Sequence, residues 1–314
     1  MLADRRHADA RRKGRCRAAT RARRCLSVSR PRLLLIGATG QIGFELAKIL
    51  PAHGEVSALD RASLDLADPD AIVETVRRLR PNIIVNAAAY TAVDRAETDA
   101  DRAYAINARA PAVLAEEAKR IGAVMIHYST DYVFDGSSAT PYREDAPAQP
   151  LNVYGRSKLE GERAIAAVGG ANLILRTSWV YGLRGQNFLL TMRRLARERD
   201  EIRIVADQLG VPNWSRELAR ITARLVGFES SALAERAGLY HLSARGSASW
   251  FEFAQAIIGN VARPTLLPIT TAEYPMPARR PAYGVLAPDK FESTFGFVLP
   301  DWRRLLRECL EESA

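Results

Sequence analysis

The chain has 314 residues, 47% of them hydrophobic, with a formal net charge of +9. That length allows one large or two modest domains with ample core, and no apolar run approaches the ~18 residues of a membrane span. Eleven of the 45 Lys and Arg and two of the 36 acids fall in residues 1–30, leaving 34 of each elsewhere. The remainder is neutral, which argues against a basic folded body made for nucleic acid.

Residues 1–30 have little to bury and read as a disordered basic extension. Three origins are open for it: a nucleic-acid-binding arm, a transit peptide, or an upstream start codon ahead of a natural chain beginning near Val28. Cys16, Cys25 and Cys309 have no metal or redox spacing and suggest a reducing compartment, with a cytoplasmic location expected.

Arg32 to Ile36 is a short apolar run fit for a buried parallel strand. Gly37-Ala-Thr-Gly40-Gln-Ile-Gly43 follows, then a helical pattern from Phe44 to Leu50. Strand, glycine turn and helix together point to dinucleotide binding: glycines admit a pyrophosphate to the backbone, and the helix start offers free N–H groups. The spacing is G-x-x-G-x-x-G, a departure from G-x-G-x-x-G. Glu55 to Leu59 is the second strand. Asp60 at its end suits a ribose 2′-OH and favours NADH, whereas Arg61 suits a 2′-phosphate, so NADPH stays open. Ser63 to Leu66 would pass near the adenine.

Pro69 to Leu79 is a helix with proline at its start. Asn82 to Asn86 is the third strand, running into Ala87, Ala88, Ala89, Tyr90 and Thr91, small enough at first for a flat cofactor to lie close. Thr98 to Arg120 is helical with an interruption near Pro111. Ala123 to His127 is a strand that delivers Ser129, Thr130 and Asp131, and Leu173 to Arg176 delivers Thr177, Ser178 and Trp179. A helix then spans Val153 to Val168. On it Tyr154 and Lys158 lie four residues apart and share a face. A nearby ammonium lowers a phenol's pKa from ~10 towards neutrality, and the phenol can then protonate a carbonyl oxygen. Thr130 would give that oxygen a second hydrogen bond.

Later elements are less regular. Helices are expected at Phe188–Arg199, Trp214–Phe228, Trp250–Ile258 and Trp302–Leu310, with a small strand at Leu239–Ser243. A proline-rich loop runs from Pro264 to Pro288, where Arg280 suits a phosphate. These elements predict a doubly wound parallel α/β sheet. The dinucleotide domain is expected at 31–179, with 211–243 joining it. A smaller discontinuous substrate domain is expected at 180–210 and 244–314.

The chain resembles the extended short-chain dehydrogenase/reductases, most narrowly their dTDP-4-dehydrorhamnose reductase branch. The resemblance covers about 31–314. It is carried by the glycine turn, by Val85 to Asp94 and His127 to Phe134, and by Pro150 to Lys158 and Leu175 to Tyr181. It implies a catalytic trio of Thr130, Tyr154 and Lys158. It implies a NADPH or NADH site lined by Gly37, Gly40, Gln41, Ile42, Asp60, Asp65, Leu66, Ala88, Ala89, Tyr90, Thr91 and Tyr128, with Tyr154 and Lys158. Asp131, Trp179, Asn187 and Arg280 would face a nucleotide sugar. The implied reaction reduces the C4 ketone of a nucleotide-linked 6-deoxyhexulose. A homodimer and Mg²⁺ are compatible, though no residue spacing specifies a metal cage. Two segments depart from the family pattern, Asn213-Trp214 after Asp207 to Pro212, and Tyr283-Gly284 after Arg280-Pro-Ala. Both are read as substrate-side loops.

Two rivals share the fold. A sugar-nucleotide dehydratase or epimerase would typically place an acid pair after the threonine, where this chain has Asp131-Tyr132. A non-catalytic subunit resembling the methionine adenosyltransferase β subunit would bind the dinucleotide without turnover.

Overall fold

The structure, a computed structural model, describes residues 30–259 and 263–313. The expected extension lies outside the described residues except for Arg30. Six strands form the central sheet: β1 (Arg32–Ile36), β2 (Glu55–Leu59), β3 (Ile83–Asn86), β4 (Val124–Thr130), β5 (Asn172–Thr177) and β6 (Gly238–His241). All pair in parallel, in the order β6-β5-β4-β3-β1-β2. The expected doubly wound sheet is therefore present. The strands read as unbroken apolar runs because both faces are covered. Leu33, Leu35, Val85, Ile126 and Leu175 pack with helix residues Leu46, Leu218 and Ile221. On the other face Leu34, Ile36, Ile84, Met125 and Ile174 meet Ile72, Val76 and Leu114.

The helices Pro69–Leu79, Val153–Val168 and Trp250–Ile258 have the bounds read from sequence. The interruption falls at Ala105–Arg109, a wide turn between Ala100–Tyr104 and Ala110–Ile121. Pro111 has no N–H to give the Asn107 carbonyl, so the regular ladder fails there. β4 is longer than expected and carries Thr130 at its last position.

The proline-rich loop is shorter than expected. Thr265–Ile269 is a strand paired in parallel with Glu201–Val205. Pro268 is tolerated because a two-stranded ribbon leaves each strand one unpaired edge. Asp289–Phe295 is an additional helix. A second apolar cluster joins Tyr181, Leu189, Ile202 and Ile204 to Trp214, Phe253, Val285 and Trp302. Phe291, Phe295, Phe297 and Leu299, expected in the substrate domain, pack instead into the sheet cluster.

Candidate active site

Strand order reverses between β1 and β3, and the glycine turn sits at the crevice this opens. Gly37 and Ala38 donate their N–H groups to Leu59 O at 2.9 and 3.0 Å, tying the turn to the end of β2. Gly40 caps the helix Gln41–Ile49 without a side-chain bond, leaving first-turn N–H groups for an anion. Gly37 has φ +86°, and a Cβ there would lie 2.7 Å from Ala88 N; a Cβ on Gly43 would lie 2.0 Å from Gly37 O. Gln41 Oε1 is buried with no partner, while its Nε2 donates to Val180 O at 3.3 Å. Ala87 to Tyr90 form a half-buried floor beside it, and Thr91 is exposed. Tyr90 is anchored by Asn107 through its N–H at 2.8 Å and by Asp99 through its hydroxyl at 3.0 Å. Close glycines, an uncapped helix start and an orphaned amide oxygen fit a dinucleotide. Gly43→Ala is expected to push the turn apart and weaken dinucleotide binding by about tenfold or more, the scale of a lost ~1.4 kcal/mol; a binding titration with the dinucleotide measures it.

Asp60 ends β2 and accepts from Ser63 N at 2.9 Å and Ser63 Oγ at 2.7 Å. Those bonds hold its carboxyl below the usual carboxylate range. Asp65 accepts from Ala67 N, and Leu66 is buried among Leu34, Ile36 and Leu64. Ile42 likewise packs into the sheet core. Tyr128 does not line the crevice with its ring. It is buried with Leu33 and Leu218, and its hydroxyl meets Thr222 Oγ1 at 2.5 Å. Alternation along β4 sends this side chain into the core, and only its carbonyl reaches Lys158.

Asn152 starts the helix Val153–Val168. Its Oδ1 accepts from Gly155 N and its Nδ2 donates to Arg279 O, each at 2.8 Å. A Cβ on Gly155 would lie 2.1 Å from Tyr132 O, so glycine lets the helix press against the turn after β4. Tyr154 thereby meets the Tyr132 ring edge-on at 5.6 Å. Burial pushes the Tyr154 phenol up to about 12, with a Thr130 hydrogen bond pulling the other way. The expected lowering by Lys158 is absent because that nitrogen is turned elsewhere. Lys158 Nζ donates to Tyr128 O at 2.6 Å and lies 3.2 Å from His127 Nε2. Burial lowers its own pKa to about 8, against the pull of Glu162.

Thr130 Oγ1 accepts from Tyr132 N at 3.2 Å and donates to Asp131 Oδ1 at 3.1 Å. Asp131 Oδ2 is buried without a partner. Trp179 adopts φ +42°, and its ring stacks on Trp250 at 3.5 Å and 7°. Two of the expected substrate residues are engaged within the protein. Asn187 caps the helix Phe188–Glu198, accepting from Leu190 N and donating to Gly182 O and Arg184 O. Arg280 makes a bidentate pair with Asp94 at 2.7 and 2.6 Å. A charged fork seeks the nearest carboxylate, and the fold supplies one from 186 residues away in sequence. Asn213 also departs from its expected loop role: buried, it donates to Ser178 O and Val211 O and accepts from Ala244 N.

A family profile described as RmlD substrate binding domain matches residues 31–314. The dTDP-4-dehydrorhamnose reductase of Burkholderia thailandensis is 45% identical over 296 residues, 90% of this chain and 98% of that protein. The chain belongs to the dTDP-4-dehydrorhamnose reductase family. The Escherichia coli K12 reductase is 43% identical over 292 residues, covering 89% of this chain and 97% of its own. A Bacillus anthracis dTDP-4-dehydrorhamnose reductase crystallised with NADP superposes with a TM-score of 0.84 at 37% identity, covering 90% of this chain and 99% of that one. Fold alone extends to a Thermus thermophilus UDP-glucose 4-epimerase, at 19% identity and TM-score 0.72.

Within this reductase family member, three site neighbours were not read from sequence: Asn86, His127 and Trp250. Polar residues inside the apolar strands β3 and β4 were the available signal for the first two. Trp250 carried none beyond its aromatic character. Among the described residues, no group of three or more His, Cys, Asp or Glu is arranged to hold a metal ion, and no helix is long and apolar enough to cross a membrane.

Burial pushes the Asp131 carboxyl up to about 7. A raised carboxyl favours folding while protonated; that stability is full below the unfolded value of ~3.9 and is lost as pH rises through the folded one. Asp131→Asn, which imitates the protonated acid, is therefore expected to raise the melting temperature at pH 8 and to leave it unchanged near pH 4. Equal gains at both pH values would refute this.

Proposed function

We propose that this chain reduces the C4 ketone of dTDP-4-dehydro-L-rhamnose to dTDP-L-rhamnose with NADPH or NADH. The observation that carries the reading is the convergence of Thr130, Tyr154 and Lys158 at the β4 edge, beside a glycine turn shaped for a dinucleotide. When bound, the nicotinamide dinucleotide supplies the hydride. Gly37, Gly40, Gln41 and the small floor Ala88–Ala89 hold it, with Asp60 and Arg61 at the ribose end.

Tyr154 is protonated at neutral pH, as a phenol of ordinary pKa ~10 already would be, and burial pushes it further up to about 12, so it holds a proton to give. It donates that proton to the C4 oxygen as negative charge gathers there. The Thr130 hydroxyl turns its single hydrogen from Asp131 Oδ1 to the same oxygen and fixes its direction. Lys158, whose nitrogen rests on the Tyr128 carbonyl, supplies positive charge to the phenolate left behind by turning from that carbonyl towards it. Asp131, with one carboxylate oxygen unclaimed, meets a sugar hydroxyl. Trp179, braced by Trp250, lies against the deoxysugar. The second apolar cluster, with the loop carrying Arg280, forms the substrate side. We place the reaction in the cytoplasm, in keeping with cysteines that lack the spacing of a disulfide framework.

The test is oxidation of NADPH and of NADH, followed at the nicotinamide absorbance, with dTDP-4-dehydro-L-rhamnose made in situ by the upstream dehydratase and epimerase. Turnover that requires the epimerase product is expected. Dinucleotide binding without turnover on this or related ketosugars would overturn the reading in favour of a non-catalytic subunit.

A further inference from the structure

Three buried side chains from three elements form a directional chain at the base of the site. Ala88 donates its N–H to Asn86 Oδ1 at 3.1 Å. A backbone N–H only donates, so the Asn86 atom it meets must be the oxygen. The Asn86 nitrogen then faces His127 Nδ1, at 3.1 Å, and an amide nitrogen only donates. Nδ1 is therefore the bare, accepting nitrogen. A neutral imidazole has one of each kind, so Nε2 carries the hydrogen. That N–H points at Lys158 Nζ, 3.2 Å away. An ammonium has no lone pair to accept it; a neutral amine has one. The second Lys158 contact, donation to Tyr128 O at 2.6 Å, suits either form. Asn86, His127 and Lys158 are each at most 1% exposed, so water is not there to relieve a mismatch.

We infer that Asn86 and His127 are positioning residues for the reduction: Asn86 fixes His127 as the Nε2–H tautomer, whose N–H favours the amine of Lys158 over its ammonium and so sets the pH at which the lysine loses its charge. When Lys158 is charged, its contact with His127 is donor against donor. The ammonium then keeps the Tyr128 carbonyl and is released from the imidazole. Among the described residues, the titratable groups around Lys158 are His127 from β4 and, one turn away on either side along its own helix, Tyr154 and Glu162; Glu162 is itself paired with Arg176 from β5. The wide turn at 105–109 meets this helix through Asn107 and Ser157, both neutral. Burial holds His127 well below its usual pKa, in keeping with a neutral ring.

Two measurements test this. Long-range proton–nitrogen NMR of the cofactor-free full chain, with His127 signals assigned by their loss in His127→Phe, reports which ring nitrogen bears the hydrogen. At pH 9 it is expected on Nε2; finding it on Nδ1 overturns the inference. This measurement does not depend on the proposed reaction. The second uses that reaction. Asn86→Asp turns a donor into an acceptor, draws the hydrogen to Nδ1 and leaves Nε2 to accept from the ammonium. The alkaline limb of kcat/KM is expected to move up by ~1 pH unit, the low end of an opposite-charge effect. A merely structural role would lower the profile without moving the limb, and an unmoved limb in the folded variant overturns the inference. If Asn86→Asp does not fold, or no substrate is turned over, the tautomer of the unaltered chain decides alone.

Discussion

Replacing Tyr154 by phenylalanine is expected to reduce turnover by about 10³-fold or more while leaving dinucleotide affinity within a few-fold of the parent. The first figure is the ordinary worth of a positioned general acid. The second follows from where the side chain sits. Tyr154 lies in the first turn of its helix, against the Tyr132 ring, whereas the backbone of the dinucleotide crevice comes from the glycine turn and from Ala87 to Tyr90. Losing one hydroxyl leaves the ring, its edge-on contact and the Asn152 cap in place. A stopped-flow or steady-state assay beside a binding titration separates the two effects. Near-normal turnover would remove Tyr154 from the acid role and with it the proposed mechanism.

Glu162→Ala is expected to cost ~3–5 kcal/mol of stability, the usual result of orphaning one member of a buried ion pair. In a chain of this size that lowers the melting temperature by on the order of 10 °C. Arg176 donates to both Glu162 oxygens, at 2.8 and 2.6 Å, with side chains 4% and 6% exposed. Arg176 Nη1 already lacks a partner, so removing the carboxylate leaves a full positive charge in the dry interior. The double replacement Glu162→Leu with Arg176→Leu should be the milder change, since no charge is stranded. A thermal melt ranks them, and a single mutant no worse than the double would refute the account. The pair also binds the helix Val153–Val168 to β5, one turn beyond Lys158. Its loss should therefore disturb activity before it unfolds the chain.

Local chemistry made much of this molecule readable from sequence. The glycine turn, the unbroken apolar strands and the helix from Val153 to Val168 each announce themselves within a few residues. So does the Tyr154–Lys158 spacing. What stayed hidden depends on partners far apart in the chain. Nothing near Arg280 indicates that Asp94 will claim it. Nothing near Thr265 indicates that Glu201 to Val205 will make it a strand, and Pro268 argues locally against one. Sequence also placed Lys158 beside Tyr154 without showing that His127 and the Tyr128 carbonyl would compete for its nitrogen. The direction of Tyr128 was misread for a related reason: its ring leaves the crevice because the pleat of β4 turns it towards Thr222 on a helix almost a hundred residues later.

The order of strands has a consequence for how the chain is made. β5 finds one neighbour, β4, as soon as it is synthesised, but its other edge waits for β6, about 60 residues later. At ~5–20 residues per second of translation that wait lasts roughly 3–12 s. Throughout it, a strand that is buried along its whole length in the finished fold shows an unpaired backbone edge, the arrangement most prone to sticking to another nascent chain. Crowded polysomes and fast induction should therefore trap this protein as aggregates more readily than its finished stability would suggest, and slower synthesis should recover it.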